Sequence, residues 1–240
     1  MIEIKNLTKS YAKGSVKAVD NLNLSVNEGE IFGFLGPNGA GKTTTIKMIV
    51  GLLNPDSGSI TLGNPGITAG TLEAKKNIGY VPDNPDVYER LTGFEYLNFM
   101  ADVYGVASDV RKERIEYYTG MFEIKSALPD IIKSYSHGMR QKIVLTGALI
   151  HNPPLWVLDE PLVGLDPKSA HLLKEEMKTH CKRGNTVFFS THVLEVAEKL
   201  CDRLAIIHKG KVIASGTMEE LRKGDRDGSL ENIFLELTEQ

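Results

Sequence analysis

The chain has only two cysteines, Cys181 and Cys201. Their spacing matches neither a metal site nor a redox motif, so two reduced core or surface thiols are expected. There is a single tryptophan, Trp156, expected in the core. Positive charge is not in excess: 28 Lys and Arg against 31 Asp and Glu leave a net charge of −3. That balance argues against a grip on nucleic acid through bulk charge, and no nucleic-acid partner is expected. Long apolar runs are missing too. A run such as Leu155–Leu158 is far shorter than the roughly 18–20 residues that a spanning helix requires. The start, Met1-Ile2-Glu3-Ile4-Lys5, alternates like a strand and has no apolar core of a signal peptide. Repeats, low-complexity tracts and long linkers are also lacking. The expectation is a cytosolic chain whose membrane role, if any, comes through a partner.

What is present is ordinary globular material, 41% hydrophobic and 25% charged over 240 residues, enough for one large domain with room for an inserted lobe. Ile2–Leu7, Val19–Val26 and Ile31–Leu35 read as strands, the last apolar on both faces as a buried central strand would be. It runs into a glycine-rich turn and a helix predicted over Thr43–Leu52, ended by Asn54-Pro55. Ile78–Val81, Leu155–Leu158, Thr186–Phe189 and Leu204–Ile207 read as further buried strands separated by helical patterns. Between about 92 and 150 the period changes. Phe94, Leu97, Met100 and Tyr104 form one helical stripe, and Ile115, Tyr118 and Phe122 another. The boundaries are a core over 1–91 and 151–216, a helical lobe over 92–150, and two short helices over 217–240 with a polar break at Gly224–Gly228.

Gly36-Pro37-Asn38-Gly39-Ala40-Gly41-Lys42-Thr43 fits the phosphate-binding pattern G-x-x-x-x-G-K-[ST]. The glycines let backbone N–H groups turn inward around phosphates, and the following helix adds the positive end of its dipole. Residues Gly36 to Thr44 are expected to hold the phosphates. Lys42 would reach the β- and γ-phosphates and Thr43 would ligate Mg²⁺. Chance produces such a match in about one chain in a hundred of this length, and fewer with a strand before it and a helix after it. The pattern points to a nucleoside triphosphate and leaves open what its energy does. Downstream, Leu155-Trp156-Val157-Leu158-Asp159-Glu160 would deliver two carboxylates to the carboxyl edge of a sheet. Asp159 is placed to hold Mg²⁺, and Glu160 to polarise the attacking water as general base.

Five ordered motifs together resemble the ABC ATPase family over nearly the whole chain. Tyr135-Ser136-His137-Gly138-Met139-Arg140-Gln141 is similar to the family signature, Val163-Gly164-Leu165-Asp166 to the D-loop, and Ser190-Thr191-His192 to the switch histidine. Tyr11 stands where the family keeps an aromatic that stacks on adenine. The resemblance implies an α/β fold: a P-loop core with a mainly parallel sheet, an antiparallel β section near the N-terminus and an inserted helical lobe. It implies ATP hydrolysis with Mg²⁺, with Glu160 and His192 as the catalytic pair. It also implies a head-to-tail homodimer, or a heterodimer with another ABC ATPase subunit. In such a dimer Ser136, His137, Gly138 and Met139 face the partner's nucleotide, the Ser136 hydroxyl and the Gly138 N–H touching its γ-phosphate. Separately encoded membrane permease subunits, with the chain peripheral on the inner face of the cell membrane, complete the expectation.

Three positions depart from the pattern. Asp83 stands where the family usually has a metal-contacting glutamine; a carboxylate there can still coordinate Mg²⁺. His137 replaces a glycine, and Val163 a serine or alanine. The leading job is that of a transporter motor, export favoured over import, with Pro85–Leu91 either receiving helices of the membrane subunits or packing into the lobe. The alternative is a cytosolic ABC ATPase of iron–sulfur cluster assembly. A DNA-repair relative is disfavoured, because neither heptads nor paired cysteines lie between the glycine turn and the signature.

Overall fold

The computed structural model describes residues 1–11, 16–63, 66–85, 87–222 and 230–238. Near the N-terminus, β1 (Ile2–Tyr11) and β2 (Val16–Val26) pair antiparallel; β4 (Ser57–Leu62) and β5 (Ile67–Thr68) extend them into a sheet of order β2-β1-β4-β5. β4 begins with the exposed residues Ser57, Gly58 and Ser59, which hid it from a search for apolar alternation.

The second sheet has six strands in the order β10-β9-β3-β8-β7-β6. These are β3 (Ile31–Leu35), β6 (Ile78–Val81), β7 (Leu155–Leu158), β8 (Thr186–Thr191), β9 (Arg203–His208) and the antiparallel edge strand β10 (Lys211–Gly216). From β9 to β6 every pairing is parallel. Strands β3, β7 and β8 are buried at every position, as sheets covered on both faces require.

Helix α1 (Lys42–Ile49) follows β3. It stops short of the expected Leu52 because Gly51 enters the left-handed region at φ 69, a conformation that ends helices without Cβ strain. α1 and the antiparallel sheet cover one face of the large sheet through a cluster containing Ile4, Leu24, Phe34, Ile46, Ile49 and Phe188. Phe32 and Phe188 stack at 5.8 Å within it.

The other face carries α3 (Gly93–Val103), α4 (Ser108–Met121) and α5 (His137–Leu149), with 3-10 turns at Lys125–Ala127 and Ile132–Ser134. Thr92 and Glu95 form a capping box that fixes the start of α3. Leu97, Ile115, Tyr118 and Phe122 are buried in a cluster that continues to Trp156, Leu158 and Phe189. Met100 packs at its edge. Phe94 is the exception to the predicted stripe: it sits in the first turn of α3 and is exposed.

Helices α6 (Pro167–Lys182) and α7 (Leu194–Leu200) follow β7 and β8. α2 (Leu72–Lys76) precedes β6. Two short C-terminal helices follow, α8 (Met218–Leu221) and α9 (Leu230–Thr238), and the proposed break at Gly224–Gly228 lies outside the described residues. Leu230 anchors α9 against Leu204 and Ile206 of β9 and Ala197 of α7. Among the described residues, no helix is long and apolar enough to cross a membrane.

Candidate active site

Four parallel strands end at one edge of the large sheet, and each contributes. β3 delivers the glycine turn, β7 delivers Asp159 and Glu160, β8 delivers Ser190 and then Thr191 and His192, and β6 is followed by Asp83. Ligands bind at such edges because backbone groups and side chains from several strands converge there.

The turn from Gly36 to Gly41 wraps a cavity of about 200 Å³, bounded by Pro37, Asn38, Gly39, Gly41 and Lys42, and further by Thr43, Thr44, Asp83, Glu160 and Ala18. Gly39 and Gly41 adopt φ values of 80° and 111°, where an L side chain is strained. A Cβ on Gly36 would lie 2.4 Å from the Ile207 carbonyl oxygen, and one on Gly41 would lie 2.3 Å from that of Ala18. Gly36 and Ala40 are buried and do not line the cavity. α1 opens with no side-chain cap and no acidic residue in its first turn. Its first N–H groups and the positive end of its dipole are therefore not neutralised locally, which favours an anion.

Lys42 is only 6% exposed. Its Nζ donates to the Gly36 carbonyl at 2.7 Å and the Pro37 carbonyl at 3.3 Å, and pairs with Glu160 Oε1 at 3.2 Å. The other Glu160 oxygen, Oε2, lies 3.0 Å from His192 Nδ1. His192 itself is half exposed. Glu160 has a left-handed backbone at φ 49°, strain that persists only where surroundings impose it. Its N–H donates to Ser190 Oγ at 3.0 Å, and Ser190 Oγ donates to Asp159 Oδ1 at 2.5 Å.

Asp159 is fully buried. Burial pushes its carboxyl above the usual range; the hydrogen bond from Ser190 and the neighbouring Thr43 hydroxyl pull it down, and the charges of Asp83 and Glu160 push it up. Its Oδ2 has no hydrogen-bond partner. An orphaned buried carboxylate oxygen beside the Thr43 hydroxyl, with Asp83 near, is a hard all-oxygen donor set that fits Mg²⁺. Among the described residues, no group of three or more His, Cys, Asp and Glu could hold a metal ion by itself. A cation that keeps water and phosphate oxygens as its remaining ligands needs none. Behind the acids, burial and then the charges of Asp159 and Asp83 raise the Tyr80 hydroxyl.

The signature residues stand apart from this cavity, and none of Ser136, His137, Gly138 and Met139 lines it. Ser136 Oγ caps α5 by accepting from the Met139 N–H at 3.2 Å, which leaves its proton free to donate. Met139 packs half-buried against the lobe core. The His137 ring lies over Gly164, where a Cβ would meet it at 2.4 Å. Gln141 Nε2 donates to the Pro161 carbonyl at 3.4 Å, and Lys142 pairs with Asp166 at 3.1 Å. The signature helix is thus fastened to the 160–166 segment. Tyr11 ends β1, 44% exposed, and also lies outside the lining.

Sequence reasoning gave no role to Ala18 or Ser190. Nothing in the sequence marks Ala18, whose carbonyl closes on Gly41 through the fold. Ser190 carries a weak signal, a polar side chain near the end of an otherwise apolar strand.

A family model described as "ABC transporter" matches residues 19–163. The chain is 36% identical over its whole length to the ABC-type transporter ATP-binding protein EcsA of Bacillus subtilis (strain 168), covering 97% of that protein. It is 40% identical, over 92% of its length, to the linearmycin resistance ATP-binding protein LnrL of the same organism, covering 70% of it. A solved dimeric ATP-binding cassette in a post-hydrolysis state, bound to ADP and Pi, superposes with a TM-score of 0.81 at 28% identity, over 91% of this chain and 99% of that one.

Proposed function

Because this chain belongs to the ABC transporter ATP-binding family, we propose that it hydrolyses Mg-ATP between two cassettes packed head to tail and so drives export through separately encoded membrane subunits. The observation that carries the reading is the meeting of Lys42 and Glu160 in the glycine cradle, with His192 on the far oxygen of Glu160 and Asp159 beside Thr43. The all-oxygen set of Thr43, Asp83 and Asp159 supports Mg²⁺ as the cofactor, which when bound neutralises charge developing on the phosphates.

In this mechanism the Gly36–Thr44 backbone and the α1 N-terminus hold the triphosphate, with Tyr11 against the adenine. Lys42 is shared between Glu160 and two carbonyls. A γ-phosphate competes with Glu160 for that ammonium, and its binding releases the carboxylate to accept a proton. Glu160 then takes a proton from water as its oxygen attacks the γ-phosphorus, and the bond to ADP breaks. His192, held at 3.0 Å by Glu160, orients the γ-phosphate and the water. Ser136, with the N–H groups of His137, Gly138 and Met139, completes the partner's site from the N-terminus of α5. ATP closes the two cassettes, and hydrolysis removes the contacts that keep them closed.

Lys42→Ala is expected to weaken ATP binding about tenfold to a hundredfold, the loss of one or two buried charge-assisted contacts. Titration with a fluorescent ATP analogue checks it, and undiminished affinity would count against the cradle assignment.

The name of a 36% identical relative, the Nod factor export ATP-binding protein I of Cupriavidus metallidurans, supports export; no relative named here points to iron–sulfur cluster assembly. The Pro85–Leu91 segment is divided. Val87 and Leu91 pack on the lobe core, whereas Tyr88 is 61% exposed and meets Phe99 edge-to-face at 5.5 Å. Tyr88 and Phe99 are the surface proposed to receive the membrane subunits, which would place the chain peripherally on the inner face of the cell membrane. Tyr88→Asp is expected to reduce recovery of a polytopic membrane protein from detergent-solubilised membranes about tenfold, the weight of one aromatic anchor. Equal recovery would sink Tyr88 as the docking surface, whereas recovery of soluble cluster scaffolds alone would sink the transporter reading and leave the ATPase assignment intact.

A further inference from the structure

We infer that Ser190 is a positioning residue for hydrolysis: its one hydroxyl decides which oxygen of Asp159 is left for the metal and fixes the backbone of the general base. The inference rests on the site assignment above. A serine hydroxyl has one proton and two lone pairs. Here the proton goes to Asp159 Oδ1 at 2.5 Å, and a lone pair accepts the Glu160 N–H at 3.0 Å.

The placement comes from the sheet. β7 and β8 run parallel with Leu158 opposite Phe189, so the next residue on each strand, Asp159 and Ser190, meet at the carboxyl edge. Both are fully buried, where water is not available to replace the bond. With Oδ1 committed to Ser190, Oδ2 is the oxygen left without a partner. The carboxylate is preset to present one defined oxygen.

The second bond acts on Glu160. Its left-handed backbone, at φ 49°, is tied to β8 through its amide. That tie holds the carboxylate where one oxygen faces Lys42 and the other His192. His192 lies two residues beyond Ser190 on the same chain segment. One hydroxyl therefore links the metal carboxylate, the base and the strand that carries the switch histidine. Such outer-shell partners are expected to matter for metal affinity and rate rather than for nucleotide capture.

The test compares Ser190→Ala and Ser190→Thr with wild type, using a fluorescent ATP analogue in EDTA and in Mg²⁺, alongside kcat, KM and Tm. Ser190→Ala is expected to keep its affinity in EDTA, to lose about tenfold of the affinity that Mg²⁺ adds, and to lose about tenfold to a hundredfold in kcat with KM changed less. Ser190→Thr, which keeps the hydroxyl, is expected to recover most of both. Affinity losses equal in EDTA and Mg²⁺, accompanied by a lower Tm, would show a structural role only and overturn the inference. Should threonine prove too large for the buried site, the ratio of Mg²⁺ to EDTA affinity for Ser190→Ala decides alone, and an unchanged ratio overturns it. Asp159→Asn and Glu160→Gln separate the two levels. If both abolish turnover while Ser190→Ala does not, only the positioning role fails; if neither does, the site assignment itself fails.

Discussion

Glu160→Gln is expected to cut ATP turnover by about a thousandfold while ATP affinity holds or rises, the weight of a positioned general base. The amide keeps the shape of the side chain and the contact to His192 but cannot accept a proton from water at neutral pH. It also removes the negative partner of Lys42, now 3.2 Å away, and leaves that ammonium to the phosphates. Binding survives and the chemical step does not, so ATP should hold the two cassettes together. Steady-state phosphate release and light scattering with Mg-ATP check both halves. Wild-type turnover in the variant would defeat the assignment of Glu160, and a monomer under saturating Mg-ATP would defeat the head-to-tail dimer.

Acid is expected to destabilise the chain through two histidines that do not line the candidate site. Burial pushes His180 down to about 4 from its ordinary 6.5, and burial likewise pushes His151 down to about 4. His180 meets Trp156 edge-to-face at 5.5 Å, and His151 stacks on Tyr104 at 3.6 Å. Both are neutral in either state above pH 6.5. Between 6.5 and 4 the unfolded chain takes up protons that the folded chain refuses, so stability falls as pH falls through that window. Each imidazole contributes about 3 kcal/mol of loss by pH 4. The raised carboxyls of Asp159 and Glu176 act with the opposite sign and offset part of it. Urea unfolding at pH 7 and pH 4.5 measures the drop, and His180→Gln should flatten it. Equal slopes for wild type and variant would remove His180 from the account.

Much of the site was legible because its chemistry is local. The glycine turn must be contiguous to wrap a phosphate, so Gly36 to Thr43 stand together in the chain. Asp159 and Glu160 announce themselves as charges ending an apolar strand. The central strands were equally plain, since burial on both faces leaves an unbroken apolar run. β4, β5 and β10 were not legible. They are edge or half-exposed strands whose polar openings, such as Ser57-Gly58-Ser59, look like loop. The end of α1 was misplaced because a glycine at φ 69° stopped it before the proline signal.

By itself, then, the sequence determined an α/β nucleotide-hydrolysing cassette of the ABC family, its central strands, and the order of its motifs along the chain. Each of these depends on neighbours in sequence or on a repeating period. Only the tertiary structure decided what those motifs touch. Lys42 pairs with Glu160 118 positions away, Ser190 joins Asp159 to Glu160, and His137 lies on Gly164. Those contacts come from the parallel register of β3, β8 and β7 and from α5 packing beside the 160–166 segment. The physical reason is that register and packing are set by burial of whole faces, a property of the folded chain that no single segment encodes.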